Sequence, residues 1–173
     1  MKKSKVIILV FVVSFWANSA ASAQSRFYAG AKCSAGWSVF GGGGNDVSAI
    51  SSKGISLDIR IFDFFFSETG FVLKSLTTDN QKALYRYASV PVIFKLKTNF
   101  VNLSAGASVA AMTEVAGEKP TPQIGGASMG IIAKISKDWN ISDRWIFEPS
   151  FGLEAIFPTG GGLTLGLKLK YNL

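Results

Sequence analysis

The last eleven residues of the chain alternate without a break. Leu163, Leu165, Leu167, Leu169, Tyr171 and Leu173 are separated by Thr164, Gly166, Lys168, Lys170 and Asn172. A helix would spread these leucines around its circumference, whereas an extended strand puts them on one face. The segment is therefore a strand with one apolar and one polar side.

The same period-two pattern recurs seven more times. The first strand sets Phe27, Ala29, Ala31, Cys33, Ala35, Trp37 and Val39 against Tyr28, Gly30, Lys32, Ser34 and Gly36. The second sets Ile55, Leu57, Ile59 and Ile61 against Ser56, Asp58 and Arg60, and the third Thr69, Phe71 and Leu73 against Glu68, Gly70 and Lys74. In the fourth, Ala88, Val90, Val92, Phe94 and Leu96 oppose Ser89, Pro91, Lys95 and Lys97, with Ile93 breaking the pattern. Alternation returns over 101–109, 127–135 and 145–155. Segments 40–52, 76–84, 113–123 and 157–162 read as longer loops, and those near Asp63, Thr98-Asn99 and 138–143 as tighter turns. Eight strands with long loops at one end and short turns at the other predict an all-β, eight-stranded antiparallel up-and-down transmembrane barrel.

The start of the chain fits that reading. Lys2, Lys3 and Lys5 precede the apolar run Val6 to Ala17, and Ala21-Ser22-Ala23 offers a small-x-small cleavage site. The run is too short to span a bilayer as a helix and reads as a secretory signal peptide over 1–23, leaving a barrel domain over 24–173. Without the three leading lysines, the 18 basic residues fall to 15 against 11 acidic ones, a charge of +4. The chain has no histidine and one cysteine. Histidine-dependent triads, histidine–metal sites and thiolate clusters are thereby excluded, as is an internal disulfide. We expect no cofactor, no metal and no enzymatic activity.

Three features predict that the apolar face meets lipid instead of lining a core. The polar face is rich in glycine, which weakens a water-exposed strand but suits a narrow, filled interior. Charges near strand centres keep to the polar face, with Lys53 and Arg86 expected at loop ends; a cation facing lipid costs about 2–4 kcal/mol at mid-membrane. Trp37, Trp139, Trp145, Phe62, Phe64, Phe65, Phe66, Phe100 and Tyr171 fall near strand ends, as interfacial aromatic belts require. A soluble lipocalin-like barrel is the inverted alternative, and a narrow pore for small solutes is another.

At this point the chain resembles a known family. Tyr87-Ala88-Ser89-Val90-Pro91-Val92-Ile93-Phe94-Lys95 resembles the Tyr-x-x-Ile-Pro-Leu-x-x-Lys strand of PorT-type outer-membrane β-barrels, and Phe100 to Ala111 the strand that follows it there. Glu68-Thr69-Gly70-Phe71 is similar to the family's Pro-Glu-Leu-x-Tyr segment without its proline and tyrosine. Gly166 to Leu173 is similar to the terminal strand read by the barrel-insertion machinery, with leucine in place of the final phenylalanine. The architecture also looks like that of the small OmpX and OmpA barrels. The resemblance implies an integral protein of a Gram-negative cell outer membrane. Its partners would be outer-membrane lipid, the insertion machinery and an unidentified envelope protein.

The expected site is a structural charge network in the lumen: Arg60, Glu68, Lys95, Lys134, Glu148, Glu154 and Lys168. Arg60 is expected opposite Glu68 across the turn near Asp63, and Lys134 opposite Glu148 across the turn near residue 141. Glu148 and Glu154 lie six residues apart on one strand face, about 20 Å, too far to act as a glycosidase acid pair. The glycine runs 41–44 and 160–162 lack a following Lys-Ser/Thr and read as loop tips, not phosphate cradles. With the basic excess assigned to the lumen, no external patch for nucleic acid is expected.

Overall fold

The structure, a computed structural model, describes residues 27–41, 48–78, 83–116, 127–157 and 160–173. The proposed signal peptide lies outside them. Eight long strands run in order: β1 (Phe27–Gly41), β2 (Ser48–Phe62), β3 (Phe65–Thr78), β4 (Ala83–Lys97), β5 (Asn102–Ala116), β6 (Ala127–Ser136), β8 (Trp145–Phe157) and β9 (Gly160–Asn172). A two-residue strand, β7 (Trp139–Asn140), precedes β8. Each long strand pairs antiparallel with its neighbour in sequence, β6 pairs with β8, and β9 pairs with β1. The sheet is a closed barrel with no free edge.

The faces are sorted as the alternation predicts. Ile55, Leu165, Phe151 and Ile131 are 66%, 57%, 47% and 48% exposed on the outside, while Asp58, Lys95 and Glu148 are 2%, 3% and 4% exposed within. Cys33 is exposed on the outer face. Ile93, the exception in the fourth alternation, keeps the inward parity and is 1% exposed. Phe66 also turns inward: its ring centroid lies 6.2 Å from that of Tyr28, so it leaves the outer aromatic belt expected of it. Closure is visible in the register of Ala31 with Leu169 and Lys32 with Lys168.

Two local devices shape the wall. At Pro91 the β3–β4 ladder is interrupted between Thr69 and Val72, because proline has no N–H to give. The Thr69 hydroxyl donates to the Pro91 carbonyl at 3.0 Å instead. At Gly54 and Gly70 a Cβ would lie 2.1 Å from the carbonyl oxygens of Phe71 and Ile55, respectively. There glycine lets two strand backbones approach where the sheet curls, a closer constraint than room for large side chains.

The strands outrun the predicted loops. Lys53 and Arg86, expected at loop ends, lie inside β2 and β4. Ser51, Ser75, Arg86 and Glu114 pair in one outward row across β2, β3, β4 and β5. One residue further on, Ile50, Leu76, Tyr85 and Val115 form the adjacent inward row. Across β2–β5 the polarity of the wall is thus reversed at this rim, where polar residues face out and apolar ones face in, whereas Trp37, Met129 and Phe157 keep apolar side chains outward on β1, β6 and β8. The glycines at 160–162 are likewise strand, not loop, and Gly160 opens β9 at a φ of 139° that L-residues rarely adopt. The longer segments 42–47 and 117–126 lie outside the described residues.

Candidate functional site

Alternation sends one polar side chain inward at every second position, and barrel closure brings those from opposite walls together. The centre of the resulting network is built by β1, β2, β3, β4, β8 and β9. Lys168 donates to Asp58 Oδ1 at 2.5 Å and to Glu68 Oε2 at 2.8 Å. Lys95 donates to both oxygens of Glu148 at 2.7 and 2.8 Å and reaches Asp58 Oδ2 at 3.4 Å. Lys32 closes the chain onto Glu68 Oε1 at 2.8 Å.

Toward the short turns, Lys170 lies 2.8 Å from Glu148 Oε2 and donates to Asp138 at 2.7 Å. Lys97 reaches Asp138 at 3.4 Å. Ser136 donates its hydroxyl to Glu148 at 2.6 Å. Nine charged side chains therefore form one connected lattice across the barrel. Each carboxylate in it faces at least two ammonium groups, which offsets the desolvation that buried charges carry.

A smaller cluster sits on another part of the wall. Glu154 faces Lys74 at 2.9 Å through Oε2 and Lys134 at 3.1 Å through Oε1. The Lys74 contact is an ion pair by distance without hydrogen-bond alignment. A lumenal cavity of about 40 Å³ runs between the two clusters, lined by Lys32, Lys74, Lys134, Glu68, Glu148 and Glu154 among others.

Of the seven residues expected here, six lie in these clusters and one does not. Arg60 stays at the short-turn end and pairs with exposed Asp63. It cannot meet Glu68, because Arg60 is opposite Phe66 while Glu68 is opposite Asp58. The turn is Asp63-Phe64, between the paired Phe62 and Phe65, and together with the bulge between Arg60 and Phe62 it shifts the partner of Arg60 by two residues from the expected pairing.

The pairing of Lys134 with Glu148 is also corrected. Lys134 lies opposite Gly152 and pairs with Glu154, while Glu148 takes Lys95 and Lys170. Here β7 continues the β6 ladder onto β8, with Trp139 opposite Phe147, so the chain reverses at 141–144. Moving a turn centre by two residues moves the register by four. Asp138, assigned to a turn, joins the network where the ladder breaks between β6 and β7. Alternation gave no signal for it.

The clusters hold seven lysines (Lys32, Lys74, Lys95, Lys97, Lys134, Lys168, Lys170) against five carboxylates (Asp58, Glu68, Asp138, Glu148, Glu154). The excess is smaller than the +4 expected, because Arg60 leaves and Asp138 enters. No group of three or more potential metal ligands occurs among the described residues.

Above this lattice the lumen changes character. Tyr85, Tyr87, Ala110 and Met112 form a buried cluster, with Leu76, Val115 and Ile156 packed against it. Charged below and apolar toward the rim, the interior is filled by side chains, as eight strands require.

A closed eight-stranded barrel with charged side chains inside and apolar ones outside is the class that the geometry defines. It is similar to the crystal structure of Neisserial surface protein A, with a TM-score of 0.57 and 10% identity over 85% of this chain and 97% of that one. The structure of Ail, the attachment invasion locus protein of Yersinia pestis, aligns with a TM-score of 0.46 and 12% identity over 86% of this chain and 97% of that one. No family model and no curated protein matches the chain. At this level of identity the likeness is one of fold.

Proposed function

We propose that the protein is an integral barrel of a bacterial outer membrane with a structural or interaction role, exported by cleavage of residues 1–23. The observation that carries this reading is the outer surface. Phe27, Ile55, Phe71, Phe94, Val109, Ile131, Phe151 and Leu167 are all exposed around the barrel while Asp58, Glu68, Lys95, Glu148 and Lys168 are held inside, and the outward charges Lys53, Arg86 and Glu114 lie nearer the rim. Such a surface is unstable in water and suited to hydrocarbon. Trp37, at 49% exposure, lies toward the rim, and Trp139 and Trp145, at 54% and 42%, lie by the short turns. These positions fit rings at two membrane interfaces. The fold it shares with a Neisserial surface protein supports the same location.

The role is non-catalytic in this reading. The buried carboxylates are each engaged by lysines, and the lumenal cavities among the described residues are small and separate, of about 40, 20 and 20 Å³, too little for a solute path. The motif at 87–95 supports PorT-type kinship. The partners are membrane lipid, the insertion machinery acting on the closing strand, and an envelope protein for which the rim is the exposed contact surface.

Membrane fractions washed with alkaline carbonate test the location. The protein should remain in the outer-membrane pellet; release as a soluble monomer would overturn the proposal. In planar bilayers the purified barrel should show at most small, rare openings, and a stable large conductance would restore the pore reading.

A further inference from the structure

We propose that the lumenal cavity beside Lys74 and Lys134 is a binding site for a small inorganic anion of halide size. The argument starts from charge. Among the described residues, Glu154 is the single carboxylate that Lys74 and Lys134 contact, so two cations share one anion. Lys74 and Glu154 side chains are 5% and 6% exposed, and that of Lys134 is 19% exposed. A surplus charge held this far from water is costly unless another charge or a set of dipoles answers it.

The neighbouring lattice supplies only part of the answer, through Glu68 across the cavity. Its carboxylates already face two or more lysines each, and Lys32, which lines the same cavity, gives its hydrogen bond to Glu68. The cavity is lined by Lys32, Lys74, Lys134 and Lys168 against Glu68, Glu148 and Glu154, so its wall carries one positive charge in excess, and that excess falls on the Lys74–Lys134 side.

Donors are in place as well. The Lys74 ammonium is 95% buried, lines the cavity and contacts one carboxylate oxygen, at 2.9 Å, which leaves N–H groups of its three to donate into the cavity. Ser34 and Ser52, also on the lining, share one hydrogen bond of 2.7 Å. One of the two hydroxyls donates in such a pair, which leaves the other's proton available.

Position is fixed from behind. A Cβ at Gly152 would lie 2.7 Å from Lys134 Cγ, so the lysine stem passes across the glycine and carries its ammonium toward Glu154. The volume of about 40 Å³ holds roughly three or four water-sized particles at about 10–15 Å³ each. That admits a halide ion and excludes an organic anion such as gluconate.

The test is thermal unfolding of the refolded full barrel in micelles, with chloride replacing gluconate at constant ionic strength. Because a ligand that binds only the folded state stabilises it by mass action, the midpoint should rise by several degrees and then saturate. Bromide should act likewise and appear in anomalous scattering at the cavity. Lys134→Gln leaves Lys74 and Glu154 as a one-to-one pair, so this variant should fold and lose the halide dependence. Arg86→Gln, which alters an outer-surface pair, should keep it. A midpoint that does not move with halide, or a halide response undiminished in Lys134→Gln, would overturn the proposal.

Discussion

The lower barrel and its rim are built from the same strands with opposite polarity. In the lower part, Leu57 and Val92 face out while Asp58, Glu68 and Lys95 face in. At the rim, Ser51, Ser75, Arg86 and Glu114 face out while Ile50, Leu76, Tyr85 and Val115 face in. A wall between lipid and a polar lumen needs the first arrangement, and a small barrel standing in water needs the second. In the membrane reading proposed above, the reversal marks the level at which the surroundings change from hydrocarbon to water. It also explains how the lumen is filled, with ion pairs where lipid surrounds it and with tyrosine, methionine and aliphatic side chains above.

The two regions should respond differently to loss of a partner. Lys95→Met in the lower lumen removes the ammonium shared by Glu148 and Asp58, leaving buried carboxylates short of a counter-charge. About 3–5 kcal/mol of stability should be lost, since breaking a buried pair costs that much. Equilibrium unfolding in lipid vesicles measures it, and a loss below about 1 kcal/mol would mean that the lattice is dispensable.

Met112→Ala in the rim should act by packing instead. Emptying a buried site beside Tyr85 and Tyr87 should cost about 2–4 kcal/mol without leaving any charge unpaired. Its effect should be insensitive to salt. A strong salt dependence would blur the distinction between the two fillings.

The outer face of the rim sets the low end of the scale. Arg86 and Glu114 form a pair at 2.5 Å with both side chains about half exposed. A double-mutant cycle should return roughly 0–1 kcal/mol, the usual range for a surface pair. A coupling above about 2 kcal/mol would place this pair in a drier setting than the rim allows.

This contrast also explains what could be read from the sequence. Alternation with apolar and charged faces identified all eight long strands, because one face must be apolar throughout the membrane, and closing an up-and-down barrel then implies that the last pairs with the first. It failed at the rim for the same reason. Where both faces can be polar or mixed, as in Ser48 to Lys53 and Ser75 to Thr78, the pattern fades and the strand resembles a loop.

Inward residues were legible by parity, but their partners were not. Parity is unchanged when register slips by two or four, so Glu68 could be placed inside without revealing that Asp58 lies opposite it. The bulge before Phe62 and the continuation through Trp139–Asn140 are backbone events that the alternation does not encode. Contacts from across the lumen, such as Lys168 to Asp58, depend on closure and lie beyond any neighbouring-strand argument.

The most direct test of the reversal is a lysine introduced at two heights on the outer face of β2. Leu57 lies between the short turn and Lys53, and Ser51 lies beyond Lys53 toward the rim. The cost of each substitution should be measured by reversible unfolding from vesicles. Leu57→Lys should destabilise the barrel by about 2–4 kcal/mol, the range for a cation at mid-membrane, and Ser51→Lys by about 0–1 kcal/mol. Equal costs, or a larger cost at Ser51, would contradict a lipid boundary between the two positions.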